Sequence, residues 1–213
     1  MATAPAQAIA TYPRLAPIEA EPLAAFAEIP AHVMAMAGSP PAWAPLIEPL
    51  RKANDTQPML LRSLVWGLAQ PDRLWWACLS ARLEEILSAR TTRSQSLILA
   101  ERWVREGDDA VRYEAFHRSR DESAMGAAPL VGLAAFVSGA SLAPQGAPVE
   151  EPPADLARSS TLSALLVAAG AKPLGDKGFE RVNAIGLDIA AGGDGREAAR
   201  HALNAASGGP QSS

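Results

Sequence analysis

Cysteine is almost missing from this chain: Cys78 stands alone among 213 residues, which excludes an internal disulfide and any cysteine-rich zinc site. Aromatic residues are scarce as well, 5% against 48% apolar, so the core has to be built from Ala and Leu, side chains that suit closely packed helices. No apolar run approaches the roughly eighteen residues of a membrane span, and the longest candidate, Leu162 to Ala171, has the length of a core helix. The opening MATAPAQAIATYPRL has no basic segment followed by an apolar stretch, so it does not read as a secretory signal. An excess of positive charge is missing too. The formal net charge is −4 with a pI near 5.4, and over residues 51–135 the 12 Lys or Arg are interleaved with 11 Asp or Glu. Nucleic acid, whose phosphates call for clustered cations, is therefore not an expected partner. These absences together give the expectation of a cytoplasmic protein with no membrane span.

What is present is helical periodicity. Leu23, Phe26 and Ile29 make a short helix before Pro30, and a second piece follows around His32 to Met36. Gly38 to Pro49 holds four prolines around Trp43 and reads as a loop whose tryptophan covers the rim of the core. Leu60, Leu61, Leu64, Val65 and Leu68 then predict a helix ending near Gln70. Pro71 and Asp72 open another, with Trp75, Leu79, Leu83 and Ile86 on its inner face, Trp76 and Leu87 on the flank, and Arg82, Glu84 and Glu85 filling much of the remainder. Leu99, Ala100, Trp103 and Val104 stripe the next, which Gly107 ends. Asp108 and Asp109 cap a polar helix from Ala110 to about Met125, expected to lie outermost. Pro129 opens the apolar run LVGLAAFV, a central helix. Two further helices follow, one on Leu162, Leu165, Leu166 and Ala169, the other on Phe179, Val182, Ile185 and Ile189, and a weaker one spans Arg196 to Ala206.

The predicted fold is all-α: a single irregular helical bundle of six or seven main helices over residues 21–206, with a proline-rich crossover strap at about 139–155 and disordered tails at 1–20 and 207–213. Ser138 and Gly139 end the central helix, Leu142 tucks back onto the core, and Pro144 to Pro153 carries the chain across the surface.

Chemistry-bearing constellations are weak. Cys78 sits mid-helix beside aromatics, where a small buried hydrophobe is the usual role. His32, His117 and His201 are far apart and read as solvated. Glu84-Glu85, Asp108-Asp109 and Glu150-Glu151 are adjacent pairs, which diverge by about 100° on a helix and make poor acid-base dyads. Leu174 to Gly178 and Gly192 to Gly195 lack the preceding strand of a phosphate loop. No catalytic residue, metal or cofactor is assigned.

Four blocks carry a resemblance: Trp76-Ala77-Cys78-Leu79, AERWV at Ala100 to Val104 with Trp103, AAFVSGASLAP at Ala134 to Pro144, and GLDIAAG from Gly186 with Asp188. Ser138, Gly139, Ser141, Leu142, Pro144, Pro152 and Pro153 form its most specific segment. Over about residues 70–192 the chain resembles an uncharacterised bacterial family of small helical proteins, classed as a domain of unknown function and associated with type VI secretion gene clusters. The family has no activity to carry over. What the resemblance implies is a cytoplasmic accessory or adaptor with a protein partner, and signature residues that serve the architecture. A second likeness, through Trp76, Ala77, Ala81 and Arg82, is to helical immunity proteins. The competing expectation is an enzyme or small-ligand binder with a pocket beneath the Ser138–Pro153 strap, its polar groups Ser138, Ser141 and Asp188.

Overall fold

A computed structural model of the chain describes residues 11–90, 92–122, 126–143, 147–153 and 155–207. Its helices are α1 (Ala20–Ala27), α2 (Ala31–Met34), α3 (Trp43–Leu50), α4 (Gln57–Gly67), α5 (Gln70–Leu87), α6 (Gln95–Glu106), α7 (Asp109–Asp121), α8 (Ala128–Val137), α9 (Leu156–Ala169), α10 (Gly178–Ala190) and α11 (Arg196–Ser207). The all-α class is as expected. The number of helices is larger, eleven among the described residues instead of six or seven, because the proline-rich first third folds into short helices.

Helix α3 corrects the loop expected at Gly38 to Pro49. Pro45 falls in the first turn, where the backbone N–H groups have no intrahelical acceptor, while Pro49 lies inside the helix and costs it one hydrogen bond. Trp43 is buried at its start and donates its indole N–H to the Ala16 carbonyl at 2.7 Å. That anchors a stretch expected to be disordered. Residues 11–19 lie along the bundle, with Leu15 buried and bridged to Leu68; residues 1–10 and 208–213 lie outside the described residues.

The long helix α5 is the hub, packed against α6, α8, α9, α10 and α11. Its inner face is rotated from the expected one. Leu74, Trp76, Ala77, Cys78 and Ala81 are buried, Trp75 and Leu79 are half-buried, and Ile86 is 52% exposed. Glu84 and Glu85, expected on the solvent side, are buried. Helix α8 is central as its composition requires, buried between α5, α6, α7 and α9. Gly107 ends α6 at φ 68, and Asp108 caps α7 by accepting the Ala110 N–H at 3.0 Å. Helix α7 stops at Asp121, and Met125, the expected limit, lies outside the described residues.

Candidate functional site

The strap from α8 to α9 is organised by a residue on another helix. Arg112 of α7 is wholly buried, although α7 is the most polar helix. It donates Nη1 to the Phe136 carbonyl at 2.8 Å and Nη2 to the Ser141 carbonyl at 2.7 Å. Asp109, one turn earlier, accepts from Nε and, at 3.2 Å, from Nη2. The guanidinium lies 4.4 Å from the Tyr113 ring centre and 5.5 Å from that of Phe136, a cation-π enclosure. Tyr113 adds its hydroxyl to the carbonyls of Ser141 and Ala143. One cation thus gives carbonyls at the end of α8 and in the turn beyond it their shortest hydrogen bonds, beside longer ones of 3.3 Å from the Gly139 N–H and the Tyr113 hydroxyl.

The expected signature residues fit around that cation. A Cβ at Gly139 would lie 2.1 Å from Arg112 Nε, so the guanidinium occupies the space that glycine leaves. Ser138 returns its hydroxyl to the Ala134 carbonyl at 2.6 Å. Ser141 Oγ accepts from the N–H groups of Ala143 and Glu150, at 3.1 and 3.0 Å, and the Leu142 N–H reaches the Glu150 carbonyl at 2.7 Å. These bonds close the strap into a loop. Leu142 does not join the core as expected; it is half-buried, and Ala143 is the buried residue there. Pro152 is half-buried and Pro153 exposed, while Pro144 lies outside the described residues.

The other signature blocks meet elsewhere. Trp76 is fully buried, donates its indole N–H to the Val182 carbonyl at 2.8 Å, and lays its ring where a Cβ on Gly186 would be, 2.7 Å away. Asp188, on the same helix as Gly186, accepts the Gly195 N–H at 2.8 Å and so holds the turn before α11. Ala77 and Cys78 are buried beside Trp76. Burial pushes the Cys78 thiol well above its ordinary pKa, and Glu101 adds to the effect, so it is not a thiolate nucleophile. Trp103 is half-buried between the main core and the small cluster of Leu99, Val111 and Ala115.

Ser138, Ser141 and Asp188 were to furnish a pocket, but among the described residues the hydroxyls of Ser138 and Ser141 and the Asp188 carboxylate are hydrogen-bonded to the chain's own backbone. No group of three or more His, Cys, Asp or Glu able to hold a metal occurs among the described residues. His32, His117 and His201 are exposed, as expected.

A buried carboxylate network joins α5, α6 and the end of α7. Glu84 accepts the Ala127 N–H at 2.7 Å, and Glu85 accepts from Arg82 at 2.6 Å and from the Ser94 N–H at 3.0 Å. Glu122 takes the hydroxyls of Ser94 and Ser96 at 2.6 and 2.7 Å and the Ser96 N–H at 2.9 Å. Partial burial pushes the Glu122 carboxyl up, but the bonds from Ser94, Ser96 and the backbone outweigh it, and its pKa falls below the ordinary value. The cleft beside it, about 410 Å³ and lined by Arg93, Ser94 and Glu122 among others, therefore has its helix N-terminus already occupied by an internal anion.

Sequence reasoning missed Arg112. It shares α7 with Asp109, three residues earlier, and with Tyr113; that i,i+3 pairing was visible, but an arginine on a polar helix gives no sign of burial. No helix among the described residues is long and apolar enough to cross a membrane. A family model described as a family of unknown function (DUF6931) matches residues 46–190. No curated protein and no solved structure matches the chain.

Proposed function

We propose that this chain, which belongs to the family of unknown function DUF6931, is a non-catalytic interaction module, an accessory or adaptor protein of a bacterial type VI secretion system acting in the cytoplasm. The observation that supports this reading is the strap. Its segment Ala147 to Glu151 is exposed, with Val149 at 72%, yet the strap is tied on both sides by Arg112, Ser141 and the Leu142–Glu150 bond. Backbone held at Ser141, Ala143 and Glu150 before binding loses less chain entropy on docking, and an apolar residue flanked by Pro148, Glu150 and Glu151 is a compact contact for a protein partner. Helix α7, which holds the strap through Arg112 and Tyr113 and is polar on its outer face, would border such a contact without competing for apolar surface.

The test is affinity capture with the full chain and with Val149→Arg, followed by mass spectrometry and reconstitution of the purified pair. A partner held by the wild type and lost by the variant, at unchanged melting temperature, is the expected result. A chain that is reproducibly solitary, or that retains its partner in the variant, overturns the reading.

A further inference from the structure

Two arginines converge on the last turn of α4, and only one of them, Arg158, has a carboxylate partner among the described residues. Arg73, on the first turns of α5, is 7% exposed and donates Nη1 to the carbonyls of Val65 and Leu68, at 3.3 and 2.9 Å. Arg158, on the first turn of α9, lays its guanidinium 4.2 Å from the Trp66 ring centre and 5.8 Å from that of Phe26. It donates Nη1 to Asp155 at 2.6 Å, and that carboxylate is 73% exposed. Val65, Trp66 and Leu68 are consecutive or nearly so, so both cations stand at one place.

The Nε of Arg73 and the Nε of Arg158 are enclosed and have no hydrogen-bond partner among the described residues, and neither does Gln70 Nε2, one turn before Arg73 on α5. All three are donors. The neighbouring acids are spent elsewhere, Asp72 on Arg14 at 3.1 Å and Glu28 on Arg62 at 2.6 Å. Burial, reinforced by the charge of Arg158, pushes the pKa of Arg73 down to about 10, which leaves it charged at neutral pH. Two buried or half-buried cations against one exposed carboxylate leave a net charge of one uncompensated, an arrangement that proteins normally avoid. The end of α4 offers partial negative charge to Arg73 through its last carbonyls, but those carbonyls bind Nη1. On both residues the Nε of the Nε–Nη2 edge, the fork that grips a carboxylate through two parallel bonds, is without a partner among the described residues.

We propose that the junction of α4, α5 and α9 is a binding site for one carboxylate, held between the Nε–Nη2 edges of Arg73 and Arg158 with the Gln70 amide as a further donor. A monoanion balances the charge, and Trp66 and Phe26 give it an apolar wall. Such a site needs no catalytic group and stands whether or not the strap docks a partner.

The test follows the arginine Nε–H resonances of the ¹⁵N-labelled full chain during titration with acetate and, in parallel, with inorganic phosphate, at matched ionic strength in chloride. The expected result is a saturable shift of the Arg73 and Arg158 signals together with acetate, while Arg112, already paired with Asp109, stays still. In Arg158→Gln the Arg73 signal should lose its saturable response. Saturation by phosphate alone overturns the assignment to a carboxylate, and no saturable shift with either anion overturns the site.

Discussion

At the scale of single residues, the buried polar and aromatic side chains do more than their types announce. Arg112 is held by two carbonyls and one carboxylate, so Arg112→Gln removes the charged donor from the carbonyls of Phe136 and Ser141, and a hydrogen bond to a charged group is worth about 1.5 to 3 kcal/mol. Thermal melting should show a loss of at least several degrees, since roughly 1 kcal/mol moves a domain of this size by about 2 to 4 °C. Trp76 and Gly186 form a matched pair, and Gly186→Ala drives a methyl group into the ring. Overpacking costs about 1 to 3 kcal/mol, against about 1 kcal/mol regained from helix propensity, so denaturant melts should show a net loss. Cys78 is fully buried with a raised pKa, and iodoacetamide should leave it unmodified in the native protein and label it only under unfolding conditions. A thiol that reacts readily in the native state would mean that α5 opens locally.

At the scale of elements, two helix ends are held by groups distant in sequence. The N-terminus of α6 receives Glu122 from beyond α7. Its folded pKa is lowered from 4.5, so its contribution is fully present above that value and is lost as pH falls through the folded one. Glu122→Gln should accordingly lower the melting temperature at pH 7, and the difference from the wild type should shrink toward pH 3. The C-terminal end of α8 is held by Arg112, and Gly139→Ala would push the guanidinium aside. Limited proteolysis should then cut the strap between residues 147 and 151 faster than in the wild type, with a smaller effect on global melting.

At the scale of the whole molecule, one core runs from Leu15 to Ala202. Deleting residues 1–18 removes Leu15 and the acceptor for Trp43, and burial of a leucine alone is worth about 1.5 to 3 kcal/mol. The shortened chain should melt several degrees lower than the full one. The sequence by itself determined the all-helical class, the central place of the run from Pro129 to Val137, the ends at Gly107 and Asp108, and the strap between two apolar helices. Those features follow from periodicity and from local backbone chemistry, which act over a few residues. Only the tertiary structure decided which face of α5 turned inward, why Gly139 and Gly186 must be small, that Arg112 and Glu84 are buried, and that Glu122 is half-buried against Ser94 and Ser96. Each of those depends on a partner 24 to 110 positions away, Arg112 on Phe136, Glu84 on Ala127, Glu122 on Ser96 and Trp76 on Gly186. A charged residue on a helix carries the same local pattern whether it meets water or a buried carbonyl, so its environment is set by the packing of helices that no short window of the chain contains.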